Sequence, residues 1–245
     1  MRNNILSNIF SIFVLTALIF IACNPGSSAG GDGQSEGASG DSAKQSVLSE
    51  LFKKVAGEGK VNEGKSEPDN TQYGLKDSVF KIIKDDKNKT YDADEKQDSR
   101  YKFYGSLSWK KEAIEGLGIV LAEIGKNVTY KDTWPKNLVE VGEKVQGVIQ
   151  VAFKQIEDKK EKLNTLSLEK INEVNDKVKK LEEARNTWTT FVAGLLKDYS
   201  ADKGSIKTTM QKLIDDYLTP KYNDSLSGLI TSSEKLGEDI KKILE

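Results

Sequence analysis

The chain has 245 residues, with 37 lysines and arginines against 38 aspartates and glutamates, no histidine and one cysteine. That inventory excludes His-ligated metal centres, zinc fingers, Ser-His-Asp and Cys-His catalytic sets and an internal disulfide. A charged fraction of 31% with the signs interleaved, and a mean hydropathy of -0.53, exclude a polytopic membrane protein and leave no basic stripe for nucleic acid.

The first eight residues carry Arg2 as their only charge, and Ile9 to Ala22, IFSIFVLTALIFIA, is apolar except for Ser11 and Thr16. A run of 14 residues is shorter than the roughly 20 that a bilayer-spanning helix needs, so residues 1–22 read as an export signal. Cys23 follows Ala22, and with Phe20 three positions before it the junction resembles the lipobox of bacterial lipoproteins. In those proteins the signal is removed and the new amino-terminal cysteine is acylated, so Cys23 is the expected lipidation site and outer-membrane lipid its expected partner. An ordinary secretory signal with an incidental cysteine is the alternative. Several acyl chains would anchor firmly, because each buried methylene contributes about 0.8 kcal/mol.

Asn24 to Gln45 is Gly, Ser, Ala and scattered acids, too poor in apolar groups to offset the entropy of ordering. Residues 23–72 are therefore expected to form a flexible lipidated tether, with a short helix as an option over 46–56, where Val47, Leu48, Leu51, Phe52 and Val55 share a face. A coil of 22 residues reaches roughly 25 Å. Within this region GKVNEGKS, Gly59 to Ser66, matches the phosphate-loop pattern letter for letter. A helix-like segment precedes it and EPDNTQYG follows, so the strand and helix that would aim backbone amides at phosphates are missing, and no nucleotide is expected. Asp92 to Asp98, DADEKQD, starts like a calcium loop but has Gln97 where glycine belongs and Phe103 where the closing glutamate belongs. It reads as a solvated linker. Asn127-Val128-Thr129 matches a glycosylation acceptor, which carries no information behind a bacterial lipoprotein signal.

The domain expected over residues 73–245 is helical. A short helix is predicted at Leu75 to Ile83, and an amphipathic one from Trp109 to Ile124 with Ser108 as its cap. Trp134-Pro135 breaks the pattern before a longer helix carrying Leu138, Val141, Val145, Val148, Ile149, Ala152, Ile156 and Leu163. The clearest stripe is Ile171, Val174, Val178, Leu181, Arg185, Trp188, Val192, Leu195 and Tyr199, interrupted only by Arg185. Ser167 is its cap, Leu166 and Ile171 form a hydrophobic staple, and Leu168 to Tyr199 spans roughly 48 Å. That stripe is either bundle core or a coiled-coil dimer seam, and Arg185 either snorkels to the rim or pairs with a carboxylate on a neighbouring helix. A fourth helix runs from Ile206 to Leu218 before Pro220, and a fifth carries Leu226 to Ile243. The fold class is all-α: an elongated bundle of about five to seven helices with one long central helix, preceded by a disordered tether. The adjacent acids Glu182, Glu183, Asp215 and Asp216 point to different helix sides and read as solvated faces rather than an acid-base pair.

The order SLSWKKEAIEGLGIVLAEIG, KKEKLNTLSLEKINEV and LEEARNTWTTFVAGLLKDY resembles a paralogous family of Borrelia outer-surface lipoproteins, the one that includes the complement regulator-acquiring protein CspA. The resemblance covers roughly Tyr73 to Glu245. It implies a helical body displayed on the outer membrane, lipid-anchored and facing the exterior. It also implies a binding protein for host serum or matrix proteins, with complement and immune evasion as the leading role and factor H or other complement components as ligands. An adhesin for plasminogen or matrix and a structural lipoprotein facing the periplasm are the alternatives. No enzymatic activity, cofactor or metal is expected, the ligand-binding residues are unassigned, and the assembly is a monomer or a homodimer.

Overall fold

The computed structural model describes residues 36–66, 72–85 and 87–245. The export signal, Cys23 and the tether up to residue 35 lie outside the described residues. Among the described residues eight α-helices follow in order: α1 (Glu36–Asn62), α2 (Gln97–Ser106), α3 (Lys111–Gly125), α4 (Trp134–Asp158), α5 (Lys160–Thr165), α6 (Leu168–Ser200), α7 (Thr219–Lys221) and α8 (Leu229–Leu244). Among the described residues the only β pairing is an isolated bridge between Lys84 and Thr90.

The long helices α4 and α6 form an antiparallel pair joined through the α5 corner, and the other helices pack around them. Helix α6 starts where its cap predicts, with the Ser167 hydroxyl accepting from the Lys170 amide at 3.3 Å. Its 33 residues run about 50 Å. Its stripe is buried throughout except at Arg185, and it packs within the chain, against α4 and α8 over much of its length. The heptad pattern is therefore core rather than a free dimer seam. Proline helps to start α4: Pro135 stands in its first turn, where a missing N–H leaves no hydrogen bond unmade.

Two apolar clusters divide the core. One gathers α2, α3, the start of α4 and the end of α6 around Phe80, Phe103, Tyr104, Leu117, Leu138, Trp188 and Leu213. The other joins α1 and α8 to the facing halves of α4 and α6 through Leu51, Ile149, Phe153, Val178, Leu181 and Ile240. Helices α2 and α4 approach closely because Gly142 has no side chain: a Cβ there would lie 2.6 Å from Ser106 Oγ and 2.9 Å from Trp188 Nε1. The Trp188 indole N–H donates to that same Ser106 oxygen at 3.0 Å.

Several expectations are corrected. Glu36–Asn62, expected within the tether with at most a short helix over 46–56, is one helix with Leu48, Leu51 and Val55 buried against the bundle. Burial of that short stripe outweighs a glycine-rich composition. The segment from Leu75 to Ile83 is a chain of overlapping turns rather than a helix, entered through left-handed Gln72, Tyr73 and Gly74. Helix α3 begins at Lys111, not at a Ser108 cap, since Ser108 and Trp109 both hold left-handed φ angles of 53° and 57°. The helix expected to run from Leu138 through Leu163 is broken at Lys159 into α4 and α5. Pro220 does not stop its helix. The π-helical stretch Lys212–Leu218 passes through α7 into a second one, Tyr222–Leu226. Their wider turns, with hydrogen bonds five residues apart, take the chain past a residue that has no N–H to give.

Candidate functional surface

Between the two apolar clusters lies a polar layer, built largely from α1. Glu58, in the next-to-last turn of α1 and only 8% exposed, accepts from Arg185 Nη1 at 2.5 Å and from Gln146 Nε2 at 2.6 Å. Asn62 donates to the same carboxylate at 3.1 Å and accepts from the Trp109 indole at 3.0 Å. Arg185 thus takes the partnered course of the two open to it, and its carboxylate comes from α1. Lower on α1, Lys54 pairs with Glu182 on α6, and Lys44 donates to the Asn164 carbonyl at 2.7 Å beside the α5 corner. Helix α1 therefore enters at the α5 end and runs parallel to α6.

The opposite pole is formed by residues 126–133, residues 201–209 and the π-helical stretches. Val128 projects there at 81% exposure. Trp134 meets Tyr222 edge-on at 5.5 Å, and Lys221 sits 4.8 Å from the centre of the Tyr217 ring. The Tyr217 hydroxyl donates to Asp198 at 3.0 Å, and burial together with that carboxylate raises its pKa. Left-handed Asp202 accepts from the amides of Lys207 (2.8 Å) and Thr208 (3.2 Å) and fixes the turn after α6.

A third polar set holds the turn segment to the bundle. Tyr91 donates to Glu143 on α4, and burial, with that carboxylate beside it, pushes the phenol far above its ordinary range. Arg100, 2% exposed, donates to the carbonyls of Tyr91 at 2.6 Å and Ala93 at 2.7 Å. Lys96 bonds Asp85 at 2.5 Å and holds that carboxyl down to about 2, with help from the Lys89 amide.

The sequence-level candidates separate as follows. Cys23 lies outside the described residues. Gly59 to Asn62 of the phosphate-loop match is the last turn of α1, so a helix precedes Lys65 and Ser66 where that motif needs a strand. Asp94–Lys96 is a 3₁₀ turn leading straight into α2, not a calcium loop. Glu182 faces α1 while Glu183 is exposed, and Asp215 and Asp216 are both exposed. Among the described residues no three acidic, cysteine or histidine side chains cluster as a metal site requires, and no helix is long and apolar enough to cross a membrane. Sequence reasoning missed helix α2 and the role of Glu58. The spacing Arg100, Phe103, Tyr104, Leu107 signals the former.

Among solved structures, the fold is similar to the Lyme disease associated outer surface protein BBA65 from Borrelia burgdorferi, at 23% identity and a TM-score of 0.72, covering 80% of this chain and 100% of that one. It is also similar to the Borrelia burgdorferi outer surface lipoprotein BBA64 (19% identity, TM-score 0.73, 83% of this chain and 96% of that one). A Borrelia spielmanii protein orthologous to BBA64 matches at 23% identity and a TM-score of 0.66, over 84% of this chain and 98% of its own. No curated protein sequence matches the chain. The model of the family described as Borrelia Bbcrasp-1 domain containing protein matches residues 62–245. With three quarters of its length inside that model, the chain belongs to this paralogous family of Borrelia outer-surface lipoproteins.

Proposed function

We propose that the protein is a surface-displayed binding protein, anchored through acylated Cys23, that presents the pole around Val128 to host proteins, with complement components as the leading class. The observation that supports this reading is the polarity of the body. The chain enters beside α5, whereas the exposed Val128 loop and the π-helical turns lie at the other end of α6, about 50 Å away. Anchoring below α1 would hold that pole farthest from the membrane. Departures from α-helical pairing of the kind at Lys212–Leu218 and Tyr222–Leu226 occur frequently at functional sites.

The body from Gln45 onward is incubated with serum, and retained proteins are identified. Retention of a complement component that is lost in a Val128→Asp variant supports the reading. Retention of none, together with no serum protection when the protein is displayed on a sensitive bacterium, refutes it. Cys23→Ala is expected to release the protein from the membrane fraction, and a variant that stays bound refutes the anchor.

A further inference from the structure

The floor beneath α1 differs from the seam between α6 and α8. Along that seam α6 presents Val174, Val178 and Leu181 in the apolar cluster of Ile240 and Leu244 of α8, which Leu48, Leu51 and Val55 of α1 also join, with the Lys177 to Asp239 pair at 3.4 Å at its margin. Under α1 the same helix instead presents Lys179, Glu182 and Arg185, and α4 adds Gln146. Each meets an α1 side chain: Lys179 lies 3.9 Å from Glu50, Glu182 pairs with Lys54, and Arg185 and Gln146 both bind Glu58. Asn175, one turn below Lys179, is 4% exposed, and its Oδ1 has no hydrogen-bond partner. Apolar grip comes from Leu48, Leu51 and Val55, aided by partly buried Val47 and Phe52.

Helix α1 is also weak on its own terms. Gly57 and Gly59 stand in its last turns, with open space where a Cβ would project, and each costs about 1 kcal/mol of helix propensity relative to alanine. The matched family model begins at residue 62, where α1 ends.

We propose that α1 is a strap that opens and closes as one unit over the groove between α4 and α6 while α2 to α8 stay folded. Opening exposes a floor whose charged and amide groups water can take up, which costs less than baring an apolar seam of equal length. Opening also frees Glu58 and Arg185 together, so neither is left buried alone. An open strap uncovers Gln146, Glu182 and Arg185 on the bundle and lengthens the connection to the preceding chain.

The test is amide hydrogen exchange read by mass spectrometry on the full chain. Amides over Leu48–Val55 are expected to exchange at least about tenfold faster than those over Val174–Leu181, because sub-global opening reaches only the former. In Glu58→Gln, which takes the charge from the Arg185 pair, α1 exchange is expected to rise roughly tenfold further with α6 unchanged. Equal exchange of the two segments in the native chain overturns the proposal. So does a variant in which α6 accelerates in step with α1, or in which α1 does not respond.

Discussion

Adding one methyl group at Gly142 tests how tightly α2 is set against α4 and α6. In an open stretch of helix, glycine to alanine stabilises by about 1 kcal/mol through backbone entropy. At Gly142 the new Cβ would stand 2.6 Å from Ser106 Oγ, 2.9 Å from Trp188 Nε1 and 3.0 Å from the ring carbon Cε2. Neither neighbour is the loose end of a flexible chain. Trp188 is fully buried and stacks on Phe191 at 6.1 Å, and Ser106 is held by its bond to the Phe103 carbonyl at 2.6 Å. Displacing them costs about 1–3 kcal/mol of overpacking, and loss of the Trp188 to Ser106 hydrogen bond costs about 1 kcal/mol more. Set against the helix gain, Gly142→Ala is expected to destabilise by about 2 kcal/mol, or roughly 4–8 °C in Tm for a chain of this size. Gly147→Ala, in the same helix, meets only the flexible Lys102 side chain at 3.4 Å and is expected to stabilise by about 0.5–1 kcal/mol. Urea titrations followed by circular dichroism measure both. A Gly142→Ala protein as stable as the native one, or two variants shifted equally in the same direction, refutes the close approach.

Arg185→Ala leaves the Glu58 carboxylate buried with only amide donors, and is expected to cost about 2 kcal/mol, below the range for a fully buried pair because Arg185 keeps a side-chain exposure of 21%. The double variant Glu58→Leu/Arg185→Leu is expected to recover most of that loss in the same denaturation experiment. No recovery means that the pair is not coupled. The phenols of Tyr91 and Tyr217 have folded pKa values above the unfolded value, so the folded chain keeps protons that the unfolded chain releases. Their contribution is complete below about pH 10 and falls as pH rises above it. Tyrosinate absorbance is expected to show these two groups ionising only as helicity is lost, and Tyr91→Phe to reduce the alkaline loss. Ordinary titration in the folded protein contradicts the burial of Tyr91 against Glu143.

Much of the fold is legible from periodicity because the residues that set it are those that α4 and α6 bury. Helix α6 combines a serine cap, a 3-4 apolar spacing interrupted only at Arg185 and a terminal Tyr199, and each of these is local. Helix α1 is not legible in the same way. Its first ten residues, EGASGDSAKQ, have no apolar stripe, and the helix is held by partners from 47 to 128 residues away. Arg185 reads as an interruption until Glu58 is beside it. The turns from Gln72 to Ile83 share the apolar spacing of a helix, yet left-handed residues at 72, 73 and 74 set a different path, which composition does not reveal. The residues that would meet a partner are the least legible of all, since exposed positions such as Val128 answer to a second molecule rather than to the chain's own core.

The direction in which α1 lies along α6 has a mechanical consequence. A pull transmitted through the chain before Glu36, directed away from the α5 corner, runs along the axis of α1. It therefore loads the Lys44, Glu50, Lys54 and Glu58 attachments together, in shear. Were α1 antiparallel to α6, the same pull would first reach the attachment farthest from the α5 corner and peel them one at a time. A strap that opens by thermal motion normal to the groove can thus still resist tension along it, so the body can breathe at rest without coming undone under drag.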